Sequence, residues 1–222
     1  MYAFGTGSII QNLGTIIIDG KSYKGNEANA TIVDSNGNKA MAANGGGTIK
    51  NAGTITTNGL IDLTSTSDNQ GKVILQKGST ISADNIKGKF YASSDITKDL
   101  NTNRKNIYIA KNIIQTKSNL NTNNLLSNSA MFEAKLKKVP STINSLNSGI
   151  NTYNIIMTRI PFTKILKDTS LANALEHSYN NDFSKENIKY FNMLKSISSK
   201  SELIKTIKSS FNTRSVGNKQ TS

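Results

Sequence analysis

The sequence predicts a mainly β protein: a right-handed parallel β-helix (solenoid) with an antiparallel strand-pair cap and short C-terminal α-helices. Three observations predict it. Glycine and β-branched residues recur at a short, fixed step in the first half of the chain. Two longer segments of alternating apolar and polar residues follow. Stretches with apolar residues three and four apart close the chain.

The step is clearest in residues 44–63, NGGGTIKNAGTITTNGLIDL. Gly47-Thr48-Ile49, Gly53-Thr54-Ile55 and Gly59-Leu60-Ile61 follow one another at intervals of six. Asn12-Leu13-Gly14-Thr15-Ile16 matches Asn51-Ala52-Gly53-Thr54-Ile55 at four of five places. A step near six suits parallel strands that each fill one side of a coil. Glycine or asparagine then turns the corner, because both tolerate left-handed backbone. Threonine faces out, and isoleucine stacks inward on its equivalent one coil away, about 4.8 Å off. Fourteen of the 16 glycines lie in residues 1–90. The strand candidates there are 8–10, 14–18, 30–33, 47–49, 53–57, 60–63, 72–75 and 79–81, and 106–110 and 112–114 continue the series. An antiparallel sandwich is the competing fold and wants longer strands at 8–12-residue spacing. Residues 119–128, polar and asparagine-rich, are expected to be loop.

The strand pair comes next. In AMFEAKLK (130–137), Phe132, Ala134 and Leu136 share one face and Glu133, Lys135 and Lys137 the other. In YNIIMTR (153–159), Tyr153, Ile155 and Met157 share one face. The link between the two contains proline, serines and glycine, which predicts an antiparallel pair with a long connection. Three helices follow. Ser170 or Thr169 can cap the first, striped by Leu171, Ala174, Leu175 and Tyr179. Ser184 can cap the second, striped by Ile188, Phe191, Leu194 and Ile197. Ser199 or Ser201 can cap the third, with Leu203, Ile204 and Ile207. The expected divisions are the β-helix over 1–130, the strand pair over 131–162, the helices over 163–210 and a disordered polar tail over 211–222.

Composition narrows function by exclusion. With no cysteine, neither disulfides nor thiolate chemistry is available. The net charge of +13 is lopsided. Residues 1–110 carry 11 Lys/Arg against 8 Asp/Glu, and residues 111–222 carry 16 against 6. A basic half favours anionic partners. Here the lysines are dispersed with no aromatic platform among them, so a solvated surface is the leading interpretation and specific nucleic-acid binding is not expected. No apolar run approaches the roughly 20 residues of a spanning helix. The first residues lack the basic-then-apolar order of a signal peptide.

The order of these parts resembles the C-terminal segment of a Gram-negative autotransporter passenger (type V secretion). Three stretches carry the resemblance: the Asn-x-Gly-Thr-Ile beat; Tyr153-Asn-Ile-Ile-Met-Thr-Arg159-Ile-Pro161-Phe162; and Leu171-Ala-Asn-Ala-Leu175 followed by Met193-Leu-Lys-Ser-Ile197. The resemblance implies a surface-displayed β-helical stalk, an autochaperone-like strand-pair cap, and a helical lead-in to an outer-membrane β-barrel. The partners it implies are that barrel, absent from this chain, and a host-cell or bacterial surface receptor bound by an adhesin. On it this chain is a segment of a longer exported protein, and because the repeats come without a catalytic set no enzymatic role is expected of this segment.

The search for chemistry yields little, so no catalytic, cofactor-binding or metal residue is assigned and no cofactor is expected. No Gly-x-Ser-x-Gly elbow occurs. His177, the only histidine, sits beside Glu176 off the apolar stripe and is expected on the surface. Gly5-Thr-Gly7 lacks the third glycine of a dinucleotide fingerprint, and Asp34-Ser-Asn36-Gly37-Asn38 lacks the closing glutamate of a calcium loop. Parallel β-helices also cleave or bind polysaccharides with carboxylates on neighbouring coils. The candidates for that alternative are Asp62, Asp84 and Asp95, with Asp62 pointing outward between Ile61 and Leu63. A basic polyanion-binding module is a third reading.

Overall fold

Isoleucines on successive layers meet across strand ladders, and that pairing organises the fold. The computed structural model describes residues 2–4, 8–18, 31–33, 39–44, 48–63, 72–97, 106–140 and 149–217. Among these, two sheets of largely parallel strands are followed by short helices, and no sheet closes into a barrel. One sheet is parallel throughout. Its order is β12 (Leu125–Ser127), β10 (Phe90–Ala92), β8 (Lys72–Leu75), β6 (Thr48–Asn51), β2 (Ile9–Asn12).

In the other sheet, β7 (Thr54–Leu63) pairs along one side with β9 (Thr80–Gly88). Its other side is shared. β3 (Thr15–Ile18) runs parallel along the first half, and β4 (Thr31–Val33) runs antiparallel on the second. β5 (Lys39–Asn44) and β1 (Tyr2–Phe4) extend the sheet outward from β4. Beyond β9 come β11 (Ile107–Thr116), β14 (Asn151–Arg159) and β13 (Phe132–Lys138). From β6 to β13 successive strands alternate between the two sheets.

Register makes a column of like side chains. Ile16 faces Ile55, Ile55 faces Ile81, and Ile81 faces Ile114. β-branched residues pack well on a pleated face, and same-face neighbours on adjacent strands stabilise the ladder. Tyr153 on β14 pairs with Ile114 and ends the column; its hydroxyl accepts from Leu120 N at 2.9 Å. The threonines at 48 and 54 are half-buried while Ile49 and Ile55 are fully buried, the in–out order expected from the beat. Gly53-Thr54-Ile55 and Gly59-Leu60-Ile61 fall within one ten-residue strand, whose register shifts between Thr57 and Leu60.

The repeated Asn-x-Gly corners lie directly on one another. Ala52 N donates to Asn12 O at 2.9 Å, and Thr54 N donates to Gly14 O at 3.0 Å. Asn12 Nδ2 donates to Asn51 Oδ1 at 2.8 Å, and Asn51 Nδ2 donates to Ser79 Oγ at 2.7 Å and Gly53 O at 2.9 Å. Buried amides must be paired, and here each asparagine satisfies its neighbour. Backbones this close leave no room for a side chain: a Cβ on Gly53 would overlap the carbonyl of Gly14. A Cβ on Gly14 meets nothing within 4 Å.

The antiparallel pair is β13 with β14, and Phe132, Leu136, Tyr153, Ile155 and Met157 are buried as the alternation predicts. β14 also pairs antiparallel with β11, so the expected boundary at residue 130 falls inside one continuous sheet. β11 bulges between Ala110 and Ile114, where Asn112 takes a left-handed φ of 54° and its N–H donates to Asn154 Oδ1. Residues 119–128 are loop only in part: Thr122–Asn124 is a 3-10 turn, and Leu125 is buried in the edge strand β12 (Leu125–Ser127). Two leucines among asparagines make too short a run to signal a strand. It is the existing edge of β10 that recruits them.

Helix α1 (Phe162–Ile165) is a single turn that the sequence does not announce. The cap of α2 (Thr169–Asn181) is Asp168, whose carboxylate accepts from Leu171 N, rather than Thr169 or Ser170. Its buried stripe is Ala172, Leu175 and Tyr179, rotated from the expected Leu171 and Ala174. Ser184 caps α3 (Lys185–Ser196), and Ser199 Oγ accepts from Glu202 N at the start of α4 (Lys200–Gly217). α4 continues past residue 211, where the tail was expected to begin. Buried residues from Ile10 to Ile207 form one hydrophobic core. Among the described residues no helix is long and apolar enough to cross a membrane.

The corner geometry sets two expectations for urea unfolding. Gly53→Ala lowers stability by about 2–4 kcal/mol, because backbone must move, while Gly14→Ala changes it by less than about 1 kcal/mol. Asn51→Ala costs about 2–3 kcal/mol by orphaning buried partners on both neighbouring layers. Equal losses for the two glycine variants would contradict the stacked corner.

Candidate functional site

Burial alternates along β14, so position 159 shares the inward face of Tyr153, Ile155 and Met157. An arginine stands there, 5 % exposed. A charge carried inward must find partners or it destabilises the fold. Arg159 finds them on three elements. Its Nε donates to Asn106 Oδ1 at 3.2 Å, just before β11. Its two terminal nitrogens reach both carboxylate oxygens of Glu176 on α2, one at 3.1 Å to Oε2 and the other to Oε1. Its guanidinium lies 4.5 Å from the Tyr179 ring centroid and 5.9 Å from that of Phe162.

Glu176 also accepts from Phe162 N at 3.1 Å, so one carboxylate ties the end of β14, the start of α1 and the middle of α2. Around this pair, Phe162, Tyr179 and Phe191 pack as an aromatic triad with centroids 5.0–6.3 Å apart. Lys195 is buried nearby, with its Nζ 5.9 Å from the Tyr179 centroid. Partial burial alone raises the Glu176 pKa. The hydrogen bonds from Arg159, Phe162 N–H and Asn180, with the Arg159 charge, outweigh it and hold the carboxyl below its usual 4.5. This is a mechanical junction: it fixes the helices against the end of the sheet.

The other polar residues of interest are scattered. Asp84 on β9 pairs with Lys117 at 2.9 Å on the surface. Asp95 lies in the turn after β10, where its Oδ1 is buried without a hydrogen-bond partner. Asp62 pairs through its backbone with Lys87 and Thr31, and its side chain lies outside the described residues. No described contact joins any two of these acids. His177 is exposed, with Nδ1 3.2 Å from Asn181 Nδ2. Gly5–Gly7 and Asp34–Asn38 lie outside the described residues. Among the described residues no three His, Asp or Glu side chains converge as a metal site.

A cleft of about 510 Å³ opens between α2, α3 and α4, lined among others by Ser178, Asp182, Glu186, Tyr190 and Phe211. Two of its polar groups already serve the helices. Asp182 Oδ1 accepts from Ser184 N, and Ser178 Oγ accepts from Asn187 Nδ2.

Sequence reading missed both members of the junction, although each left a signal. Arg159 continues the inward phase of β14. Glu176 lies four residues after Ala172 and three before Tyr179, at the edge of the buried stripe. Comparison with protein-family models, curated proteins and solved structures finds no match to this chain.

Glu176→Gln keeps the shape but strands the Arg159 charge, and is expected to cost about 2–3 kcal/mol at neutral pH. The native pKa of Glu176 is depressed, so its stabilisation is complete above the ordinary carboxylate value and drains as pH falls through the lowered native one. Unfolding curves from about pH 5 downward should therefore converge for the wild type and the variant. A gap that stays constant across that range would rule out the ion pair as its source.

Proposed function

We propose that this chain is a non-catalytic structural segment of a surface-displayed passenger of the Gram-negative autotransporter type. On this reading its stacked strands form a right-handed parallel β-helical stalk. The β13–β14 pair and the helices form its base cap, next to an outer-membrane β-barrel supplied elsewhere in the full-length protein. The complete protein is an adhesin whose stalk holds receptor-binding loops away from the membrane.

The observation that carries the reading is the alternation of successive strands between two sheets, with asparagine and isoleucine stacked in register, ended on one side by antiparallel β14 and the Arg159 junction. In such a stack each coil is stabilised chiefly by its neighbours, so stability adds step by step along the axis. A base cap with long-range hydrogen bonds and an aromatic cluster is where order would begin. The first coils then form on a template already in place, and folding outside the cell can draw the chain outward.

Two measurements test this. Hydrogen exchange on the intact chain should be slowest in β11, β14, β13 and α2, and faster toward β2 and β3; the reverse gradient would remove the base-cap role. Placed between a secretory leader and an outer-membrane β-barrel, the chain should reach the surface in a protease-resistant form, and Arg159→Ala should reduce that display several-fold. Cleavage of a polysaccharide by the purified chain would replace this reading with that of a carbohydrate-active β-helix.

A further inference from the structure

Strand register lays out a three-by-three grid on the outward face of β11, β14 and β13. Ile107 faces Thr158, and Thr158 faces Glu133. Ile109 faces Ile156, and Ile156 faces Lys135. Lys137 faces Asn154, whose Oδ1 accepts from Asn112 N, and Lys111 continues the outward parity of Ile107 and Ile109. The opposite face of the same strands is core, with Tyr108, Leu136, Ile155 and Met157 buried. An outward sheet face is ordinarily polar. Here Ile107 and Ile109 stay 55 % and 52 % exposed within the whole chain, with half-buried Ile156 beside Ile109. Exposed Lys111, Lys135 and Lys137 border these isoleucines on two sides. Glu133, the one acid of the grid, stands at the corner diagonal to Lys111. Guarding the edge of β13 accounts for Lys135 and Lys137, but not for isoleucines held outward on the two strands beside it.

From this grid we infer that the outward face of β11, β14 and β13 docks on the surface of an anionic phospholipid membrane. The isoleucines enter the headgroup boundary, and the lysines lie against lipid phosphates. Charge selects an anionic occupant, since residues 106–140 hold five lysines and one acid. The adjoining segments of the chain do not supply the negative charge: 98–105 has three basic residues and one acid, and 141–148 has neither. Side-chain type selects lipid over protein. A stable protein interface buries about 800 Å² on each partner around aromatic and arginine anchors. The grid contains no aromatic residue and no arginine. Lysine is a compact, strongly hydrated charge on a flexible stem, suited to a diffuse anionic surface rather than to one fixed carboxylate. Apolar side chains beside lysines on one face are what holds an amphipathic element in a membrane interface. A sulfated polysaccharide would engage the lysines and leave the isoleucines idle. The inference rests on the grid and not on the passenger reading, so the two fail separately.

The test uses the intact chain and vesicles of phosphatidylcholine with and without phosphatidylglycerol. Binding is expected only to the mixed vesicles, weakening as salt rises. The sequence has no tryptophan, so Ile109→Trp supplies a single reporter. Its emission should shift to the blue on mixed vesicles, and that of Met193→Trp, at an exposed site on α3, should not. Lys135→Gln with Lys137→Gln should weaken binding about 20-fold, at about fivefold per lysine, with the melting temperature unchanged. Lys200→Gln with Lys205→Gln removes the same charge from exposed sites on α4 and should weaken it far less. Ile107→Thr with Ile109→Thr keeps β-branching and should weaken binding several-fold. Absence of binding, equal losses for the two lysine pairs, equal emission shifts from the two reporters, or undiminished binding by the isoleucine variant would overturn the proposal. The last result would mark a site for soluble polyanions instead.

Discussion

Close approach of two backbone corners is the constraint on which the rest of this structure depends. At residues 12–15 and 51–54 the chain crosses itself at hydrogen-bond distance, with Thr54 N on Gly14 O and Asn51 bridging layers on both sides. Such proximity is possible only because residue 53 lacks a Cβ. Once the corners are seated, the strands on either side have a single register. A shift by one residue would turn Ile10, Ile49 and Ile55 to solvent and place threonine in the core. The isoleucine column and the asparagine ladder are thus two consequences of one contact. One is apolar and largely insensitive to exact geometry; the other is polar and demanding of it.

At the opposite end a different device does the same work. Parallel stacking leaves a last strand with unpaired backbone, and here β14 covers β11 in the antiparallel sense and is itself covered by β13. Lysines at 135, 137 and 138 are exposed on that final strand, a common guard against further pairing. Arg159 then converts the end of β14 into an anchor for the helices. Buried ion pairs often contribute little net stability against apolar alternatives of the same shape. What this pair adds is direction. A bidentate guanidinium–carboxylate contact, with Asn106 on a third corner and Tyr179 beneath, admits one orientation of α2 relative to the sheet. This end of the stack is thus sealed by charge and aromatic packing.

The local alternation of residues carried much of this in advance. Ile49 inward with Thr48 outward, the paired faces of β13 and β14, the Ser184 cap and the apolar positions of α3 and α4 are all readable from neighbours within a few residues. The misses share a cause. Leu125 becomes a strand residue only because β10 offers an edge. In α2 the expected Leu175 and Tyr179 are buried, but Ala172 replaces Leu171 and Ala174 on the inward face, a choice made by the elements packed against the helix. Glu176 is noted in the sequence only as the neighbour of His177, because its role is set by an arginine 17 residues away on another element.

The sequence by itself determined the mainly β character, the inward and outward faces of strands such as β6, β13 and β14, and the three longer helices, because these follow from backbone geometry and from the solvation of neighbouring residues; the six-residue step holds from β6 to β7 and then breaks within β7. Only the tertiary structure decided which strand lies against which, how β14 and β13 close the sheet beyond β11, and which charge is buried against which. Asn12 and Asn51 are 39 residues apart, and no local preference selects a partner at that distance. That choice is made by the collective fit of the corners, the column between them and the junction that closes one end.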